Sequence, residues 1–132
     1  MLYTKSILKA KEPLDGIRIS VMSRHTLNDG KTPHPNITKD SYDEWLKILA
    51  PSDGLVGDYY KRILGRDLFS IYYLEEIRES EKKIEVEKLA MRALETDITL
   101  LCIEIEPEFC HRKLLAEECR SYFPNRLQVI HK

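Results

Sequence analysis

The sequence predicts one α/β domain spanning residues 1–132, with a mostly parallel sheet of three to four strands flanked by helices. Three observations carry this. Strand-like segments stand at both ends of the chain with helical patterns between them. Ile98 to Ile105 holds six apolar residues in eight, the habit of a parallel strand covered on both faces. The finish from Asp97 to Ile130 reads strand, turn, helix, strand, which is a crossover unit. At 132 residues and 15.5 kDa the chain has the length of a single domain.

Met1 to Leu8 alternates loosely and carries β-prone Tyr3, Thr4 and Ile7, which gives a first strand. Pro13 and Asp15-Gly16 break it. Ile17 to Ser23 is a second strand, with Ile17, Ile19 and Val21 on one face and Arg18 and Ser20 on the other. Arg24 to Asp40 is rich in Pro, Asn and His and reads as a long loop. It leaves the C-terminal end of a strand, where open α/β sheets place ligands.

Ser41 with Glu44 has the spacing of a capping box, so a helix is expected over Tyr42 to Leu49 with Trp45, Leu46 and Leu49 as its stripe. Ala50 to Gly54 stops it. Ser52 or Asp53 then caps a helix from Leu55 to Leu64, which Gly65 ends. Asp67 opens a third helix that runs to about Ser80. Glu81 to Glu95 is a fourth, amphipathic one, either continuous with the third or kinked at Arg78-Glu79-Ser80. After the apolar strand, Pro107 suits a first helical turn, and that helix runs to about Tyr122. Arg126 to Ile130 is the last strand.

Composition narrows the function. A net charge of −1 supplies no bulk field to recruit nucleic acid or acidic membrane. No apolar run approaches the roughly 20 residues a membrane span needs, and no signal-peptide core is present. Three cysteines, an odd number, do not look like a disulfide framework. Cys110 and Cys119 on one helix would stand roughly 13 Å apart, too far to bridge. Reduced thiols and a cytoplasmic location are expected.

The chemistry concentrates at Cys110-His111-Arg112. A cysteine in a first helical turn meets unpaired N–H groups and the positive end of the dipole, which favour thiolate. Cys110 is read either as a nucleophilic or anion-contacting thiol or as a small buried hydrophobe. His111 is the second catalytic candidate, although it shares a stripe with Leu115, Cys119 and Tyr122. That stripe favours a core-edge histidine bonded to a backbone carbonyl. Arg112 is the third. A tyrosine-phosphatase loop is excluded, because five residues beyond Cys110 would put Ala116 where its arginine belongs. Candidate ligand contacts are Arg24, His25 and Asn28 after the second strand and Glu104 beside the Cys110 turn, with Glu106 a further carboxylate.

Cys110 and His111 are adjacent, and no Cys-x-x-Cys or His-x-x-x-His pair exists, so no metal is assigned. With GxGxxG and GxxxxGK[ST] absent, no cofactor is assigned either. For nucleic acid, Lys61-Arg62, Arg66, Arg112-Lys113, Arg120 and Arg126 with several tyrosines make a weak case, because acids interleave them.

The chain resembles the DUF488 family of small α/β proteins. Asp15-Gly16-Ile17-Arg18-Ile19-Ser20-Val21 followed by Arg24 looks like its DGxRxxV strand. Trp45-Leu46 through Leu49-Ala50-Pro51-Ser52 looks like its W-L-x-x-L-A-P-S segment. Ile98 to Cys102 followed by Cys110-His111-Arg112 looks like its strand and Cys-His-Arg signature. Many members carry Asp-Arg and a Trp-Pro-Arg-Gly loop where this chain has Ser23 to Gly30, so a role resting on that aspartate, tryptophan or second arginine is not carried over. The resemblance implies the fold and the site, not a reaction. The expectation is an enzyme or ligand-binding domain for an anionic small molecule, nucleotide-like or phosphorylated. The alternative is a nucleic-acid or protein-binding adaptor. The oligomeric state is left open.

Overall fold

The computed structural model describes residues 1–27, 29–61, 64–103 and 111–132. Five strands form one sheet: β1 (Leu2–Ser6), β2 (Ile17–Ser20), β3 (Glu44–Trp45), β4 (Ile98–Cys102) and β5 (Val129–His131). Their order is β3-β2-β4-β1-β5, and every pair is parallel. Leu2 stands opposite both Ile98 and Val129, and Ile17 opposite Ile98, so the apolar rows of the strands align on one face. The four helices are α1 (Asp53–Tyr60), α2 (Arg66–Ile77), α3 (Ser80–Glu95) and α4 (His111–Tyr122).

The helices cover that face. Leu2, Ile19, Ile98 and Leu100 pack in one core with Leu55, Tyr73, Ile77, Val86, Leu89, Ala90, Ala93, Leu115 and Cys119. Full burial of each large aliphatic side chain contributes about 1.5–3 kcal/mol, which makes this the larger apolar contribution to stability. Ser52 caps α1, its hydroxyl accepting from the Leu55 N–H and donating to Glu76 at 2.6 Å. The chain breaks at Arg78-Glu79, and Arg78 pairs with Glu118 of α4 instead of continuing the helix.

Among the described residues no α-helix covers the other face, where charge fills the space. Lys5, Asp15 and Arg18 are fully buried there. The Asp15 carboxylate accepts from Arg18 Nη1 at 2.7 Å, from Lys5 Nζ at 3.1 Å and from the Glu12 N–H at 3.0 Å. Arg18 Nε donates to the Ser41 carbonyl, and the Arg18 N–H to Asp43. Two loops are thus tied to one strand. Gly16 makes the turn beside them: its φ is +64°, and a Cβ there would lie 2.1 Å from the Asp97 carbonyl oxygen.

Three expectations change. The helix expected over Tyr42 to Leu49 is the edge strand β3 followed by a 3-10 turn at Lys47–Leu49. The Asp43 and Leu46 N–H groups bond the Arg18 and Ser20 carbonyls at 2.8 Å, so the free edge of β2 captures backbone that an eight-residue helix would have to satisfy alone. Glu44 pairs with Arg92 of α3 rather than capping. Last, Cys102 is disulfide-bonded while Cys119 is free and buried. An odd cysteine count excludes a full framework but not one bridge.

Burial pushes the Asp15 carboxyl up, but the Glu12 N–H, Arg18 and Lys5 outweigh it and hold it below the ordinary carboxylate range. Its contribution is therefore present above the usual carboxylate pKa and is lost as pH falls through the folded value. Asp15→Asn leaves two buried cations facing a neutral amide. It should lower the unfolding free energy in urea at pH 7 by about 3–5 kcal/mol, and the loss should shrink as the wild type is acidified.

Candidate functional site at the C-terminal edge of the sheet

In a parallel sheet all C-terminal strand ends share one edge. Here the connections leaving β1 and β2 pass over the charged face, where Ile7, Met22 and Ile37 pack together. Those leaving β3 and β4 pass over the helical face. Open α/β sheets place ligands where connections diverge in this way, outside the strand ends. Ser20, Cys102, His111 and Arg112 gather there.

His111 opens α4 and is buried. Its Nε2 lies 2.7 Å from the Val21 carbonyl oxygen, at the tip of β2. Carbonyl oxygen only accepts, so the ring proton sits on Nε2 and Nδ1 faces the Cys102 sulfur at 3.8 Å. The Tyr73 ring meets the imidazole edge-on at 5.3 Å. Burial, with a smaller push from Arg112, lowers the His111 pKa to about 4, against the hydrogen bond to Val21. Arg112 is wholly buried in the same turn, with contacts extending beyond those described.

A second group lies on the β2 and β3 side. Ser20 is wholly buried, and its Oγ lies 2.7 Å from His25 Nε2. The His25 ring packs against both Tyr42, at 4.7 Å, and Trp45, at 4.0 Å. Trp45 is fixed by its indole N–H on the Met22 carbonyl at 2.7 Å. Burial lowers the His25 pKa. Sequence reasoning named His25 but missed Ser20 and Trp45. Ser20 shares a strand face with Arg18, and the alternation showed that. Its partner five residues on was hidden inside an apparently unstructured loop.

A family model described as "DUF488-N3a: Active DUF488-N3 subclade" matches residues 2–122. The chain belongs to the DUF488 family. No curated protein and no solved structure matches it.

The remaining sequence candidates in this DUF488 chain divide. Cys110, Asn28 and Glu104 lie outside the described residues. Arg24 is exposed, and its guanidinium lies against Gly30 and beside Asp29, within its own loop. That loop is ordered rather than structureless: Leu27 and His34 donate backbone hydrogen bonds to Thr32 and His25, and Thr26 bridges Pro33. Among the described residues no three His, Cys, Asp or Glu side chains are grouped to hold a metal. Nor is any helix among them long and apolar enough to cross a membrane. Of the basic residues considered for nucleic acid, Arg112 is buried, Arg120 pairs with Glu117 and Arg126 lies over the Phe123 ring.

Because His111 takes a proton near pH 6.5 when unfolded but only near 4 when folded, the unfolded chain binds more protons between those values. Stability is full above pH 6.5 and falls toward pH 4 by about 3 kcal/mol from this residue. Urea unfolding at pH 7 and pH 4.5 should show a fall that His111→Gln reduces, and the His111 imidazole should stay neutral by NMR down to about pH 5.

Proposed function

We propose that the chain is a small cytoplasmic enzyme or ligand-binding domain that takes an anionic small molecule, nucleotide-like or phosphorylated, at the crevice above β2 and β4. The observation that carries this reading is Arg112, a guanidinium with no exposed surface in the first turn of α4. The start of a helix is already the positive end of its dipole, so the helix gives a cation there no support. An anion reaching that position would be favoured by the helix dipole and by the guanidinium charge alike.

His111 beside it is neutral at pH 7 and adds no second charge. Its role is to fix the start of α4 to the tip of β2 through the Val21 carbonyl. Cys110 enters on sequence grounds alone, and would serve as nucleophile or thiolate contact only with its sulfur reduced. Arg24 would join only by leaving Gly30. The word "active" in the description of the matching family model favours an enzyme over an adaptor.

Titration of inorganic phosphate and sulfate, followed by calorimetry and by thermal shift, tests the reading. Wild type should bind at millimolar concentration. Arg112→Lys, which keeps the charge but loses the planar fork, should bind about tenfold more weakly. Equal binding by both proteins, or no binding by wild type, would remove Arg112 from the site. Affinity that appears only with long polynucleotides and collapses with salt would favour the adaptor instead.

A further inference from the structure

The group formed by Ser20, His25, Tyr42 and Trp45 is not used by the anion contact, yet it is built with more constraint than a loop needs. Its hydrogen bonding fixes the imidazole tautomer. Ser20 is wholly buried, and its oxygen receives only a long bond from the Met22 N–H at 3.4 Å. The hydroxyl proton therefore has one described acceptor within reach, His25 Nε2 at 2.7 Å. A neutral imidazole that accepts at Nε2 carries its proton on Nδ1. Burial keeps His25 neutral at pH 7. Nδ1 has no partner among the described residues, so it presents an unused N–H donor.

Around that donor stand aromatic surfaces that cannot swing freely. Trp45 is held by its bond to the Met22 carbonyl and by the His25 ring, yet it is 40% exposed. Tyr42 crosses it edge-on at 6.4 Å. Only the Lys47 ammonium, 5.6 Å from the Trp45 ring centre, lies over the indole as a flexible group. A fixed aromatic face with a neutral N–H at its margin suits a planar ring that bears a carbonyl or ring-nitrogen acceptor.

We propose that Trp45, Tyr42 and the Nδ1–H of His25 form a base subsite, which stacks the nucleobase of a nucleotide whose phosphate goes to Arg112. This rests on the anion reading and deepens it. The two subsites flank the same strand tip, for Ser20 orients His25 while the adjacent Val21 carbonyl holds His111. Ser20 is a positioning residue: it sets which imidazole nitrogen faces the ligand.

Trp45 is the only tryptophan in the chain, so its fluorescence reports on the subsite directly. Uridine, cytidine, adenosine, guanosine and their 5′-monophosphates are titrated against wild type, Ser20→Ala and His25→Ala, with inorganic phosphate as the control. At least one nucleoside should quench Trp45 saturably, its monophosphate should bind more tightly, and phosphate alone should leave the emission unchanged. Ser20→Ala, a small change inside a retained fold, should weaken quenching by about tenfold. If no nucleoside quenches while phosphate still raises the melting temperature, the base subsite is wrong and the anion reading stands. If neither binds, both are wrong. Quenching of equal affinity in all three proteins would also overturn the subsite, because His25 would then contribute nothing.

Discussion

The buried contact among Lys5, Asp15 and Arg18 is the constraint on which the rest depends. A parallel sheet has two faces to cover, and this chain sends all its helices to one of them. The other is closed by loops, whose backbone polar groups need partners out of water. Arg18 supplies three: the carbonyls of Lys9 and Ser41 and the carboxylate of Asp15. Lys5 supplies the Ala10 carbonyl and Glu12 as well. Without these cations the loops after β1 and β2 would have nothing polar to rest on, and burial of the cations would be unaffordable without Asp15.

The strand ends beside that face are themselves buried: Ser6, Ser20 and Val21 have no exposed surface. The tip of β2 then does two jobs with consecutive residues. The Ser20 hydroxyl sets the tautomer of His25, and the Val21 carbonyl sets that of His111. Both histidines are kept neutral by burial, and each is committed through one nitrogen to the same strand. Polar groups in this part of the molecule are positioned by backbone that the sheet itself makes rigid.

Much of the fold was legible because its signals are local. The apolar run of β4, the alternation of β2, the serine cap of α1 and the charged stripe of α3 each follow from short-range periodicity. What sequence reasoning missed was non-local. Trp45, Leu46 and Leu49 have helical spacing, and nothing within their own segment reveals that β2 has an edge waiting for a partner. Asp15 read as a turn residue and Arg18 as a polar strand face. Their burial emerges only once Lys5, ten residues earlier, is placed between them. Among site residues, His111 and Arg112 stood out by their neighbours in sequence. Ser20 and Trp45 acquire meaning only through His25, which a hairpin-like loop carries back over the strand.

The electrostatics of Arg112 and His111 would make the proposed anion site responsive to what it holds. Arg112 disfavours a proton on His111, adding to the effect of burial. An anion on Arg112 offsets that repulsion, so binding raises the proton affinity of His111; by linkage, a proton on His111 strengthens the anion in turn. Near neutral pH the imidazole is far enough from its folded pKa that this coupling stays small. On the proposed reading the site would then offer a ligand one permanent positive charge from Arg112 and neutral donors elsewhere. That combination favours a group of low negative charge joined to an uncharged polar ring over a densely charged polyanion.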